Sequence, residues 1–294
     1  MPRLLRIALT GSAFAAFFSF SFVFGGLFLP LLLYWPGDAE QKRRRLERAV
    51  CAVYRAFTAI LHYTRLIRYS RPELPPDFPS VGGCVVIANH PSLIDTLILM
   101  GLRPGLSSVI KPWWTRSRWT RRLMRYANHI PGPDRVARLP GQAPKNLVEE
   151  SDEDDDTPAV LTRMVEHLRA GHGLVIFPEG SRSFERKLRR FRRGAIEAAI
   201  RAGVPIVPAF IGVNPPMLMK HQPWYEVPDR PGAYRVEFFP VIHTAGRDLD
   251  ARTINRELRA AYETRFQEHL RERDAPVPAR APIAQLAGPQ SSEE

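Results

Sequence analysis

The stretch Asn89-His90-Pro91-Ser92-Leu93-Ile94-Asp95 follows the apolar run Cys84-Val85-Val86-Ile87-Ala88 and opens a second apolar run from Thr96 to Met100. A short β-branched apolar run of this kind reads as a buried strand, and it delivers the histidine to the start of a helix. Asn89 or His90 suits the N-cap, and Pro91 then falls at the first helical position, where its missing N–H is not needed. His90 and Asp95 are five residues apart and do not share a face of an ideal helix. They meet only if His90 lies outside the helix and folds back over its first turn. So placed, the imidazole is held by the carboxylate through one ring nitrogen, and the other is left to take a proton from a hydroxyl. The positive end of the helix beside it favours an anionic oxygen. A capping pair near a helix start is the alternative reading of the same two residues.

A second motif, Gly173-Leu174-Val175-Ile176-Phe177-Pro178-Glu179-Gly180-Ser181-Arg182-Ser183, repeats the pattern of a buried strand running into a turn. Its glycine permits unusual backbone angles, and its arginine offers a rigid fork for phosphate or carboxylate. Together the two stretches resemble the glycerophospholipid acyltransferase family, which acylates glycerol-3-phosphate and lysophosphatidic acid. His90 and Asp95 match the family's His-four-residues-Asp motif. Phe177 to Ser183 match its Phe-Pro-Glu-Gly-Thr-Arg-Ser block with Ser181 in place of Thr. Val204-Pro205-Ile206-Val207-Pro208-Ala209-Phe210 is similar to the family's later Pro-containing strand, and Ile130-Pro131-Gly132-Pro133-Asp134-Arg135 more loosely to its turn ending in Arg. The resemblance spans residues 80 to 245. It implies that His90 is the base, that Asp95 orients it, and that Glu179, Gly180, Ser181, Arg182, Lys111 and Arg135 bind substrate.

The 294 residues carry a net charge of +12 and are 45% hydrophobic, which suits one sizeable α/β domain with a terminal membrane element. A positive charge built mostly from arginine favours nucleic acid, anionic lipid or phosphorylated substrates. No helix-turn-helix, zinc-finger or RNA-binding pattern accompanies it, so nucleic acid is not expected as a partner. Cys51 and Cys84 lie in an apolar helical segment and a core strand, as buried thiols do. Without H-E-x-x-H or paired Cys/His spacing, no metal and no resident cofactor are expected.

From Ile7 to Trp35 no residue is charged, and the run is long enough to cross a bilayer. Gly25-Gly26 and Pro30 interrupt it, so a pair of shallow segments in one leaflet fits as well as one tilted span. A secretory signal would have a shorter apolar region and a small-residue cleavage site. Residues 1–38 are therefore read as a retained anchor. Lys42, Arg43, Arg44, Arg45 and Arg48 outweigh Arg3 and Arg6, which puts the domain that follows on the cytoplasmic face. Residues 39–79 hold a basic amphipathic helix, lying on the membrane or packed on the domain, and a Pro-rich linker.

Residues 80–273 form the acyltransferase domain, an alternation of strands and helices around a mostly parallel central sheet flanked by helices. Strands are expected at 106–110, 204–210 and 235–242, and helices at 117–127, 158–170, 195–202 and 251–272. An acidic insertion at 139–158 cannot pack a core and is expected to be mobile, and the tail 274–294 is expected to be disordered. Arg186 to Arg193 adjoin the second motif and suit coenzyme A phosphates, an acidic carrier protein, anionic lipid or plain solvation.

The expected reaction moves a fatty acyl group from acyl-CoA or acyl carrier protein to a lysophospholipid hydroxyl, foremost that of 1-acylglycerol-3-phosphate. N–H groups near Gly180 or the His90 helix would stabilise the oxyanion, and Glu179 would position acceptor hydroxyls. A lyso-aminolipid or glycolipid acceptor, or a non-catalytic membrane scaffold, are the competing readings. A serine hydrolase is disfavoured because no G-x-S-x-G elbow is present.

Overall fold

A computed structural model of the chain describes residues 2–132 and 158–275. The buried apolar runs become the middle of a seven-stranded sheet. In chain order the strands are β1 (Ile67–Tyr69), β2 (Cys84–Ala88), β3 (Leu106–Ile110), β4 (Ile130–Pro131), β5 (Gly173–Ile176), β6 (Ile206–Asn214) and β7 (Gly232–Phe238). Their order across the sheet is β1-β7-β6-β2-β5-β3-β4. Every residue of β2 is buried, as expected for a strand flanked on both sides and covered on both faces. β5 and β6 both run parallel to it, with Ile87 opposite Ile176 and Ala88 opposite Ala209. β7 is antiparallel to β6, and β1 is parallel to β7, so the fold is α/β with one reversed edge. The loops after β2 and β5 therefore leave the same end of the sheet side by side, at the place where open α/β sheets bind ligands.

Alternation along the strands divides the interior in two. Val86, Ala88, Val175, Val207 and Ala209 face one core, while Val85, Ile87, Leu174, Ile206 and Phe210 face the other. The first core is covered by α1 (Arg3–Val23), a π-helical turn (Phe24–Phe28), α2 (Leu29–Tyr34), α3 (Ala39–Tyr63), α4 (Asp95–Met100), α5 (Pro112–Arg116) and α6 (Arg121–Tyr126). The second is covered by α7 (Pro158–Arg169), α8 (Gly194–Ala202) and α9 (Ala251–Asp274). A fully buried Leu or Phe contributes about 1.5–3 kcal/mol, so these two cores carry most of the stability.

Several local expectations are revised. Arg3–Tyr34 is one helical run, and it is long and apolar enough to cross a membrane by length and composition. The glycines do not break it. They relax it into the π-helical turn, where a Cβ on Gly25 would stand 2.7 Å from the Leu123 backbone nitrogen, so glycine lets the helix touch α6. Asp38 caps α3 by accepting from the Gln41 N–H at 2.8 Å. One face of α3, with Val50, Tyr54, Thr58 and Leu61, is buried against the domain, so the helix is packed. The sheet begins at Ile67, inside the stretch read as linker, because Leu66 and Ile67 are buried against the reversed edge. The Arg-rich helix expected at 117–127 is shorter, Arg121–Tyr126, and an extended Ser117 separates it from α5 before it. The acidic insertion from 139 to 157 and the tail from 276 lie outside the described residues.

A chain of buried polar groups links α3 to the sheet. His129 accepts the Ser108 N–H at Nδ1 (2.9 Å) and meets the Tyr54 hydroxyl at Nε2 (3.2 Å), while His167 Nε2 meets the Ser107 hydroxyl at 2.7 Å. Burial disfavours the charged imidazolium and lowers His129 to about 4 and His167 to about 3. Both lie below the unfolded value of about 6.5, so the unfolded chain binds more protons once the pH drops beneath that value. Their stabilising effect is whole above about pH 6.5 and is lost as the pH falls toward their folded values. Thermal unfolding of detergent-solubilised protein between pH 7 and pH 5 is expected to show a loss of roughly 1 kcal/mol per histidine per pH unit. A His129→Gln variant is expected to show a shallower slope over the same window.

Candidate active site

The loop after β2 is shaped by side chains bonding to backbone. Asn89, the first residue beyond the strand, donates from Nδ2 to Ile211 O at 2.9 Å and accepts the Ile211 N–H at 2.7 Å. It extends the β2–β6 pairing by one rung and does not cap a helix. His90 then turns out of the sheet plane. Its Nδ1 lies 3.0 Å from Asp95 Oδ2, and the same oxygen accepts the Ser92 N–H at 2.7 Å. α4 begins only at Asp95, after Ile94, so the expected cap at Asn89 or His90 and the helical Pro91 are corrected. The competing bonds to Asp95 and Ile211 hold residues 89–94 in a non-helical path.

Asp95 is fully buried, and burial pushes its carboxyl up, opposed by the bonds from His90 and Ser92 and by the Arg182 charge. Its Oδ1 has no hydrogen-bond partner among the described residues. The His90 ring stacks on Phe177 with centroids 3.9 Å apart and planes 15° from parallel. An imidazole whose Nδ1–H is given to a carboxylate presents a lone pair at Nε2. His90 Nε2 has no partner among the described residues, and the residue lines the large cavity described below.

Glu179 acts on the same loop from the other side. Its Oε1 accepts the His90 N–H at 3.1 Å and the Ser183 hydroxyl at 2.6 Å, and its Oε2 accepts the Arg189 N–H at 2.8 Å. The Ser183 N–H donates to His90 O at 2.7 Å. The residue is 4% exposed, and burial pushes its carboxyl up against the pull of these three donors. Glu179 is thus a brace between the two motifs.

Several backbone donors of the two loops are held by protein. Gly180, at φ +64°, donates its N–H to Phe177 O at 2.9 Å to close the turn. In the first loop the His90 N–H is held by Glu179, that of Ser92 by Asp95, and that of Leu93 by Leu218 O. Pro91 has none, and the Ile94 N–H points to Ser92 Oγ at 3.4 Å.

The two loops line a cavity of about 1200 Å³, beyond the roughly 300–1,000 Å³ of ordinary small-molecule pockets. His90, Lys111, Gly180, Ser181 and Arg182 stand on its polar part, and Phe14, Phe17, Phe57, Leu93, Leu97 and Trp114 on its apolar wall. Arg182 donates through Nη1 to Leu218 O (2.7 Å) and Met219 O (2.9 Å), so only its Nε–Nη2 edge remains for an anion. Arg135 lies outside the described residues. No group of three His, Cys, Asp or Glu side chains suited to a metal ion occurs among the described residues.

The motifs supplied His90, Asp95, Arg182 and Lys111 and left out the groups that hold them. Phe177 was legible as part of its block, but Tyr234, whose hydroxyl lies 2.7 Å from Ser92 Oγ, carries no local signal.

A histidine held by a buried carboxylate beside a large cavity with an apolar wall is placed to take a proton from a hydroxyl presented there. Residues 71–212 match the model of the Acyltransferase family, which bears out the resemblance to the glycerophospholipid acyltransferases. It is 28% identical over 170 residues to a 1-acyl-sn-glycerol-3-phosphate acyltransferase of Pseudomonas aeruginosa, covering 55% of each chain. To the Escherichia coli protein of the same name it is 29% identical over 141 residues, 48% of this chain and 51% of that one. It thus spans about half the length of these curated relatives. The crystal structure of the 1-acyl-sn-glycerophosphate acyltransferase PlsC from Thermotoga maritima has the same fold, with a TM-score of 0.66 and 17% identity over 91% of this chain and 98% of that one.

Replacing Glu179 by Ala strands three buried donors, which is expected to cost about 3 kcal/mol of stability. Denaturant melts would reveal it, with Lys111→Ala, an exposed residue, unchanged beside it. Equal stability of the two variants would remove Glu179 as the brace.

Proposed function

We propose that the chain is a membrane-bound 1-acylglycerol-3-phosphate O-acyltransferase that forms phosphatidic acid. The observation that carries this reading is the cavity that joins His90 to cations, Lys111 and Arg182 among them, and to an apolar wall. One ligand that needs all three is a lysophospholipid bearing a hydroxyl, a phosphate and an acyl chain. The names of the relatives support the same acceptor.

In this mechanism His90 Nε2 takes the proton of the acceptor hydroxyl while Asp95 holds the imidazolium through Nδ1. The hydroxyl oxygen attacks the carbonyl carbon of the acyl thioester. Lys111 and the open edge of Arg182 counter the negative charge of the acceptor phosphate and of the developing oxyanion. The tetrahedral species collapses with cleavage of the C–S bond, and His90 returns its proton to the leaving thiolate. No acyl-enzyme, metal or resident cofactor enters, and acyl-CoA or acyl carrier protein serves as co-substrate. Arg135 is assigned to the acceptor phosphate on the strength of its motif. The apolar Arg3–Tyr34 helix and the basic residues after it support a membrane location with the domain on the cytoplasmic face.

Membrane-reconstituted protein is expected to make phosphatidic acid from a labelled acyl thioester and lysophosphatidic acid. His90→Ala is expected to lower kcat by about 10²–10⁴-fold with its melting temperature retained. Activity that survives in a folded His90→Ala protein would remove His90 as the base. An inactive wild type that turns over another lysolipid would replace the acceptor.

A further inference from the structure

A second concave site lies on the opposite side of the sheet from the anchor helix. Its walls are the turn from Phe184 to Phe191 and the first turns of α9. Arg252, Asn255, Arg256 and Arg259 follow one another at helical spacing and share the α9 face that lines it, with Lys187 across the groove. Arg252 and Arg256 are like charges one turn apart, an arrangement that disfavours the bare helix. Among the described residues neither these two nor Lys187 has a side-chain hydrogen bond or an ion pair, whereas Arg259 is tied to Arg189 O at 2.6 Å and to Glu263 at 3.0 Å. Asn255 donates from Nδ2 to Phe191 O at 3.2 Å, which fixes the orientation of its amide. Its Oδ1 is then buried on the groove with no hydrogen-bond partner among the described residues. The Phe184 ring at its edge is covered by the Arg189 guanidinium at 5.0 Å and the Lys220 ammonium at 5.3 Å from its centroid.

Unpaired cations and a buried acceptor without a donor are the complement of a phosphorylated group that also carries an amine, as a phosphorylated adenosine does. Phosphates take the cations, and the exocyclic amine supplies the hydrogen bond that Asn255 Oδ1 lacks. Two further observations narrow the ligand. Leu188 and Phe191, which floor the groove, belong to the core on the α7–α9 side, while α1 packs on the other core. A water-soluble polyanion can reach this site, but a headgroup held in the bilayer of the anchor helix is on the wrong side. Arg189 lines both the groove and the reaction cavity, and its N–H is bound by the Glu179 brace, so the two spaces adjoin.

We propose that this groove binds the adenosine 3′,5′-bisphosphate end of coenzyme A, placing its thioester arm over Arg189 toward His90. The inference rests on the acyl-transfer reading above and selects acyl-CoA as the donor. A carrier protein would also bring acidic groups, but its convex surface does not reach a buried amide oxygen at the bottom of a groove.

The test uses the full-length reconstituted protein and two readouts. Equilibrium dialysis measures binding of adenosine 3′,5′-bisphosphate, and acyl-transfer kinetics compare acyl-CoA, acyl-3′-dephospho-CoA and acyl carrier protein as donors. The bisphosphate is expected to bind wild type and to compete with acyl-CoA. In Arg252→Gln/Arg256→Gln, with an unchanged melting temperature, affinity for the bisphosphate is expected to fall at least about tenfold and the KM for acyl-CoA to rise as much. Asn255→Leu is expected to weaken binding of the bisphosphate as well. Absence of bisphosphate binding in wild type, or equal binding by the double variant, overturns the proposal. So does a KM that rises for acyl carrier protein and not for acyl-CoA, which would make the groove a protein dock. If the bisphosphate binds through Arg252 and Arg256 but no donor acylates lysophosphatidic acid, the groove stands and the acyl-transfer reading falls.

Discussion

A carboxylate closed off from water is costly, and Asp95 is closed off completely. The loop from His90 to Ile94 takes the shape that provides it with donors. One oxygen gathers the Ser92 N–H and the His90 ring, and this demand delays α4 until Asp95 itself. Ser92, pulled inward, passes its hydroxyl to Tyr234 on the reversed strand β7. Glu179 imposes a similar demand from the neighbouring loop and satisfies it with the backbone of His90. The histidine is therefore pinned by its ring from one buried acid and by its main chain from another. Its only slack is the ring edge that meets the cavity. Such double restraint keeps the imidazole in one rotamer without help from a ligand.

The second motif is drawn into the same frame. Glu179, the Gly180 N–H and one edge of Arg182 are each committed to holding protein. The cavity also takes groups arriving from farther away in the chain, such as Lys111 at the end of β3 and the aromatic residues of α1. The anchor helix thus forms part of the cavity wall, with Phe17 against Phe57 at 5.5 Å and Phe18 stacked on Trp114 at 6.0 Å. The two faces of the sheet have different work: one meets apolar chains and the other meets water.

Much of this was legible in residue order because the relevant signals are local. Fully apolar β2, β5 and β6, the α8 stop at Gly203 and the pairing of His90 with Asp95 follow from runs and spacings within a few residues. What escaped was decided by bonds across the chain. Asn89 has the composition of a helix cap, yet the Ile211 backbone, 122 positions away, outcompetes the local partner. The donors that gather around Glu179 are likewise set by the fold. The amphipathic period of α3 was plain, but periodicity names the buried stripe and not the surface that buries it. The open groove beside α9 was invisible for a similar reason. Its cations come from residues 187 and 252–259, which lie far apart in the chain and only meet in the folded sheet.

Tyr262 has a consequence of another kind. Its hydroxyl, fully buried, donates to Ile87 O at 2.6 Å and accepts the Ala209 N–H at 2.9 Å, so α9 ties β2 to β6 just before the catalytic loop. These bonds join positions separated by 175 and 53 residues. During synthesis on the ribosome the greasy first helix is finished early, while the rung beneath His90 waits for nearly the whole chain to emerge. The nascent protein thus has its apolar first helix long before the loop that carries His90 is fastened, and that loop takes its final place among the last parts of the fold.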